Sequence, residues 1–122
     1  TSLWVSFDPS QLYQVVNNLC ENGLRYSLLR QAQPLLSITT GITQESARPF
    51  LELRDYGGGM ATETTAQIFE PFFTTEARGS GLGLYIAKEF CEANKAALYL
   101  WHNTAEGCCF RIHFTAETSE LL

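Results

Sequence analysis

Between Gln11 and Leu29 the apolar residues Leu12, Val15, Val16 and Leu19 recur at the three- and four-residue spacing of one helix face. A helix is predicted from Asp8 to about Leu29, with Asp8 as N-cap, Pro9 at the first helical position and Gln11 placed to bond back to the cap. Pro34 closes that region. Beyond it Leu36, Ile38, Thr40 and Ile42 alternate with Ser37, Thr39 and Gly41, and after a turn over Gln44 to Pro49 a second strand, Phe50 to Arg54, leads into Asp55. The pair reads as a hairpin. Tyr56 to Gly59 is too glycine-rich to extend a strand, Thr62 to Phe69 is a short helix before Pro71, and Phe72 to Ser80 is a mobile loop. A second long helix is expected from Gly81, with Leu82, Ile86, Phe90 and Ala93 facing inward. Two strands, Ala97 to Trp101 and Cys109 to Phe114, close the chain around a tight turn at Ala105-Glu106-Gly107, with Leu98, Leu100, Phe110, Ile112 and Phe114 as core candidates. The opening residues Thr1 to Phe7 resemble a strand rather than a signal peptide, and no apolar run is long enough for a membrane span. If the parent protein is membrane-bound, its anchor lies outside this sequence.

Composition narrows what such a fold can bind. The 122 residues are 45% apolar and 17% charged, which suits one folded domain with one core. A net charge of −5 argues against a nucleic-acid surface or an anionic-membrane anchor, so a polyanionic ligand must be held locally. Cys20, Cys91, Cys108 and Cys109 show no zinc or disulfide spacing and read as reduced thiols in the core. His102 and His113 fall in or beside strands and read as packing or surface residues.

Four segments carry candidate chemistry. Gly79-Ser80-Gly81-Leu82-Gly83-Leu84 precedes a helix, where unpaired N–H groups and close backbone approach suit a phosphate chain; a flexible helix-capping loop would look the same. It lacks the Gly-Lys-Ser/Thr end of a Walker A loop. Asp55, at a strand end before three glycines, is placed either to accept the exocyclic amine of adenine or to lead a simple turn. Asn18 and Asn22, one helical turn apart with Arg25 on the same stripe, offer an amide oxygen to a hard cation and a guanidinium to phosphate, or form a solvated face. Phe69, Phe72 and Phe73 bracket Glu70-Pro71 as core rings or as the anchor of a lid.

Taken in order, Asn18-Leu-Cys-Glu-Asn22, Asp55-Tyr-Gly-Gly-Gly59, Phe69-Glu-Pro-Phe-Phe73 and Gly79-Ser-Gly-Leu-Gly83 resemble the N, G1, F and G2 boxes of the catalytic ATP-binding domain of sensor histidine kinases, within the GHKL superfamily. The likeness covers nearly the whole chain, residues 1–122, and the stretches Asn17 to Ser27 and Phe69 to Asn94 look most similar to the branch of type IV pilus sensor kinases. It implies the Bergerat fold, an α/β sandwich (α+β) with a mixed, mainly antiparallel sheet of about five strands and three helices on one face. By the same resemblance Asn22 would ligate Mg2+, with Asn18 one turn earlier, and Arg25 would reach the phosphates of ATP. Tyr26 would stack on or beside the base, Asp55 would accept the adenine amine, and Gly57 and Gly59 would shape that pocket. Thr75, Arg78, Gly79, Ser80, Gly81, Leu82 and Gly83 would form the lid and helix start that wrap the phosphates.

Asn18 stands where hydrolysing relatives have a glutamate that activates water, and an amide has no useful basicity for that step. The implied activity is therefore transfer of the γ-phosphate to a histidine on a separate dimerisation domain, followed by a response regulator. The implied setting is a cytoplasmic domain of an inner-membrane sensor kinase, monomeric when isolated, with no nucleic acid and no direct membrane contact. Alternatives are an ATP-binding interaction module without phosphotransfer and a GHKL ATPase. Three departures bear on the assignment: Glu76 replaces the usual lid lysine and leaves any phosphate contact to Arg78, Cys108 replaces a threonine, and Gly23 replaces alanine at a cost of about 1 kcal/mol unless packing requires it.

Overall fold

The first helix opens as its sequence predicts, but only half of the expected reciprocal cap forms. The Gln11 amide donates to Asp8 Oδ1 at 3.0 Å, whereas the Gln11 side chain accepts from Asn94 Nδ2 at 2.7 Å instead of turning back. Asn94 also accepts from the Asp8 amide at 2.8 Å, so one asparagine ties the start of the first helix to the end of the last. This arrangement is seen in a computed structural model that describes residues 3–31, 35–74 and 80–115. The elements in order are α1 (Pro9–Gln31), β1 (Leu36–Ile42), β2 (Pro49–Asp55), α2 (Thr62–Thr65), α3 (Gly83–Ala93), β3 (Ala97–Thr104) and β4 (Gly107–His113).

The strands form one antiparallel sheet in the order β1-β2-β4-β3. Leu53 stands opposite Ile38 on one side and Phe110 on the other, and Phe110 in turn faces Leu100. Residues opposite one another in antiparallel strands share a face, so this row and that of Leu51, Ile112 and Leu98 point toward the helices. Against them α1 lies over β2 and its neighbours while α3 packs on α1 and β3. The core between the layers holds Val15, Leu19, Leu53, Ala87, Cys91, Leu98, Phe110 and Ile112, all nearly free of solvent. All four cysteines are free, Cys20 half-buried and the others buried. Burial raises the thiols of Cys91 and Cys108 to about 12 and that of Cys109 to about 11, which leaves all three protonated near neutrality.

Several expectations need correction. The sheet has four strands among the described residues and no parallel pair, because the opening segment contributes only an isolated bridge at Val5. The short helix is a single turn: the amides of Gln67 and Glu70 bond three residues back, to Thr64 and Gln67, so the chain continues as tight turns to Pro71. Helix α3 starts at Gly83 rather than Gly81, whose φ of 74° is left-handed and cannot open a right-handed helix. Its inward stripe is rotated as well. Ala87 and Cys91 are the buried positions, flanked by Leu84 and Phe90, while Ala93 is exposed, because α3 must meet both α1 and β3. Gly23 has a packing reason: a methyl group there would sit 2.6 Å from Leu36 Cδ2 and 3.2 Å from Asp55 Cβ, where α1 rests on the sheet. No described helix is long and apolar enough to cross a membrane.

Candidate functional site

Helix α1 supplies one wall of a cleft of about 550 Å3, lined by Asn18, Glu21, Asn22, Arg25 and Tyr26. Asn18, Asn22 and Arg25 fall at i, i+4 and i+7, on a stripe that adjoins the one carrying the core residues Val15 and Leu19. Gly59, Met60 and Ala61 after β2, Thr64 and Ile68 beyond them, Phe73 and Thr74, and Ser80, Gly81, Gly83 and Leu84 before and in α3 complete the lining. Segments distant in sequence are thus brought to one cavity. Thr75, Glu76, Arg78 and Gly79 lie outside the described residues.

Asn22 is half-buried, and its Nδ2, which is shielded from solvent, has no hydrogen-bond partner. A stranded amide costs about 1–3 kcal/mol, so a polar ligand in the cleft is the physical account of its retention. Turned over, the same group presents an oxygen, the donor a hard divalent cation prefers. No group of three or more His, Cys, Asp or Glu side chains among the described residues could hold a metal by itself. A magnesium ion fits only if phosphates and water supply most of its shell, which is its usual habit.

Asn18 is engaged differently. Its Oδ1 accepts from Gln14 Nε2 at 2.8 Å and its Nδ2 donates to the Gly83 carbonyl at 3.0 Å, so it pins the start of α3 to α1. Among the described residues no side chain caps that start at Leu82, and the first amides of a helix have no partner within it. Below it the Phe72 amide donates to the Gly81 carbonyl at 2.8 Å, closing the base of the segment between them. Gly81 is required there, since a side chain would collide with the Phe72 backbone. At Gly83 a side chain would meet nothing within 4 Å. Among the described residues, then, the packing sets no steric need for glycine at that place.

Asp55 and Gly57 do not line the cleft but lie behind its glycine loop. Asp55 is 3% exposed, and its Oδ1 accepts from the amides of Gly57 at 2.9 Å and Cys108 at 3.1 Å. Burial pushes its carboxyl above the usual carboxylate range, and these two N–H donors oppose the rise. Gly57 meets Tyr26, whose Cβ a methyl group would approach to 2.5 Å. Buried Ser27 accepts from the Tyr56 amide and donates to the Leu35 carbonyl, each at 2.8 Å, which seats the loop on α1.

The three phenylalanines part company. Phe69 packs edge-on to Phe110 with ring centroids 6.1 Å apart, Phe73 lines the cleft, and Phe72 is 73% exposed with a left-handed φ of 68°. Both histidines stand on the sheet face turned away from the helices, His113 opposite Phe50 and His102 opposite Cys109. His113 is held below its usual pKa by burial and then by Arg111 and Arg48.

Sequence reasoning did not single out Met60, Ile68, Glu21 or Gln14. Met60 and Ile68 carried a weak signal as apolar residues beside the glycine run and in the short helix. Gln14 lies one turn before Asn18, a spacing that allows side-chain pairing but does not require it.

Residues 7–118 match the family described as histidine kinase-, DNA gyrase B-, and HSP90-like ATPase. The sensor protein kinase PilS of Pseudomonas aeruginosa is 44% identical over 107 residues, which are 88% of this chain and 20% of that protein. The C4-dicarboxylate transport sensor protein DctB of the same species is 33% identical over 113 residues, 91% of this chain and 18% of that protein. The chain therefore spans a fifth or less of the length of these relatives. In fold it resembles the catalytic domain of histidine kinase ThkA, solved nucleotide-free, with a TM-score of 0.70 at 24% identity, covering 90% of this chain and 69% of that one. A match across nearly the whole chain, joined to a cleft between helix layer and glycine loops, establishes that it belongs to the histidine kinase-, DNA gyrase B- and HSP90-like ATPases.

Proposed function

We propose that this domain binds Mg·ATP in the cleft and presents the γ-phosphate to a histidine on a separate helical dimerisation domain, as the cytoplasmic domain of an inner-membrane sensor kinase that passes the phosphate to a response regulator. The observation that carries this reading is the pairing of a stranded Asn22 amide with an uncapped α3 start across one cavity. The first offers a ligand to a cation and the second offers N–H groups to an anion. When bound, magnesium supplies charge neutralisation on the phosphates.

The remaining roles belong to the chain. Arg25 lines the same wall as Asn22 and contributes a fixed positive charge, while the Gly83 position leaves room for phosphate oxygens beside the backbone. Tyr26, Met60 and Ile68 give the base end an apolar lining. Asp55 takes both of its loop amides on Oδ1, so Oδ2 is the atom assigned to the adenine amine. Asn18 removes no proton: its amide is spent on Gln14 and Gly83 and lacks basicity in any case. Rate enhancement in this scheme is positioning and charge, with the nucleophile brought by the partner. His102 and His113 are poor candidates for phosphate acceptors, being on the opposite face of the sheet.

Titration of the chain with ATP, with and without Mg2+, tests binding, and single-turnover phosphorylation of a supplied dimerisation domain tests transfer. Tight ATP binding without any phosphohistidine would leave an interaction module in place of a kinase. A second reading, hydrolysis, rests on Glu21, a carboxylate that lines the cleft one turn after Asn18. Sustained multiple-turnover phosphate release by this domain alone would favour it.

A further inference from the structure

The loop that closes the base end of the cleft is held from outside. Gly58 and Gly59 both have left-handed backbones, with φ of 91° and 76°, and the run from Tyr56 to Ala61 belongs to no helix or strand. Tyr56 is seated on Ser27 of α1, and the rest of the run is fixed to the β3–β4 hairpin. Asp55 Oδ1 accepts from the Cys108 amide at 3.1 Å, and the Gly58 amide donates to the Glu106 carbonyl at 3.1 Å. At the far end the side chain of Asn103 grips Met60 twice: Oδ1 accepts from the Met60 amide at 2.9 Å and Nδ2 donates to the Met60 carbonyl at 2.7 Å. The amide thus reproduces the two bonds a neighbouring strand would make. Arg30 backs the hairpin from α1, its Nη1 donating to the carbonyls of Ala105 at 2.5 Å and Glu106 at 3.3 Å. Fit is close, since a methyl group on Gly59 would strike the Thr104 carbonyl and lie 2.9 Å from Asn103 Oδ1.

Met60 and Gly59 line the nucleotide cleft, whereas Asn103 stands behind them. We infer that Asn103 is a positioning residue for base selection: its double bond to Met60 fixes the glycine loop at the distance from Asp55 that accepts a 6-aminopurine and excludes a 6-oxopurine. The chemistry is a matter of donor and acceptor. An adenine amine donates to the Asp55 carboxylate, but a guanine carbonyl facing that carboxylate leaves two acceptors opposed and unpaired. That discrimination depends on the base being held close. Of the contacts that fix the loop's two ends to the hairpin, the one at Asp55 is made by a backbone amide and the one at Met60 by a replaceable side chain. The inference rests on the nucleotide reading of the cleft.

The test compares the unaltered chain with Asn103→Ala and Asn103→Asp by calorimetric titration with Mg·ATP and Mg·GTP, alongside thermal melting and exchange of the Met60 amide. Loss of both bonds in Asn103→Ala is expected to weaken ATP binding by about five- to tenfold or more and GTP binding far less, so that the ATP/GTP preference falls. Asn103→Asp keeps the acceptor for the Met60 N–H and loses the donor, and should fall between. Met60 amide protection should decline in the same order. An unchanged ATP/GTP ratio in a cooperatively melting variant overturns the inference while leaving the nucleotide site intact. If Asn103→Ala does not fold, Asn103→Asp decides by the same ratio. Failure of the unaltered chain to bind ATP at all overturns the nucleotide reading and this inference with it.

Discussion

The two ends of the cleft are built by different means. At the base end, Asp55, Gly58 and Met60 are each bonded to the β3–β4 hairpin, Ser27 seats Tyr56 on α1, and glycines meet neighbouring backbone without spare room. Among the described residues of the phosphate end, the Phe72 to Gly81 bond, the Ser80 hydroxyl on the Leu82 amide and Asn18 on Gly83 are the principal ties, and Gly83 borders open space. One end is preorganised by hydrogen bonds already made in the protein. The other holds an Asn22 Nδ2 without a partner and, among the described residues, a helix start with no side-chain cap. On the proposed nucleotide reading, selectivity for the base would come from a rigid frame, whereas hold on the phosphates would be completed by what binds.

The sharpest way to break the contrast is to damage the frame. Gly107→Ala puts a methyl group against the Asp55 carbonyl and 2.9 Å from its Oδ1. We expect a loss of about 3 kcal/mol or more in chemical unfolding, with no ATP binding in titration. A variant as stable as the parent would show that the hairpin and loop are not in register as described.

Next come the polar groups. Asn22→Ala should leave the melting temperature unchanged or raised, because it removes a stranded buried amide, and should lower affinity about tenfold or more for ATP with Mg2+. Equal loss with and without the cation would count against a metal role. Asp55→Asn is expected to reduce ATP affinity by about tenfold to a hundredfold in a folded protein.

The raised Asp55 pKa adds a pH signature. The folded chain keeps this proton to higher pH than the unfolded one, so the group's contribution to stability is present below the ordinary carboxylate range and is lost as pH rises through the raised value. Affinity runs the other way and should fall as acid protonates the acceptor. Asp55→Asn should abolish both dependences in parallel melting and binding series.

The smallest effect on the fold is expected at Gly83→Ala. With nothing within 4 Å, stability should stay level or rise by up to about 1 kcal/mol, while ATP affinity drops. Unimpaired binding would remove the phosphate from this position.

Much of this architecture was readable from the residues. Alternation located β1 and β2, and Asp8-Pro9 marked the start of α1, because local patterning and capping are decided within a few residues. The strand expected over Thr1 to Phe7 is reduced, in its described part, to a bridge at Val5, because pairing needs a partner edge, which no local pattern reveals. Gly81 and Gly83 look alike in the chain, yet one is demanded by the Phe72 backbone and the other by nothing among the described residues. Asn103 carried no signal, as its partner Met60 is 43 residues away and only the hairpin's closure brings them together. Phe69, Phe72 and Phe73 were legible as a cluster but not as a core ring, an exposed ring and a cleft wall.

Helix α1 touches both ends of the cleft at once, through Asn18 on Gly83 and Arg30 on the hairpin turn. Twelve helical residues apart, these grips are separated by roughly 18 Å of stiff rod. A tilt or slide of that rod cannot reach one end alone. On the proposed nucleotide reading, any force applied along it from outside the domain would be felt simultaneously as a change in how the base is gripped and where the phosphates end, so that this helix would serve as a mechanical lever as well as a wall.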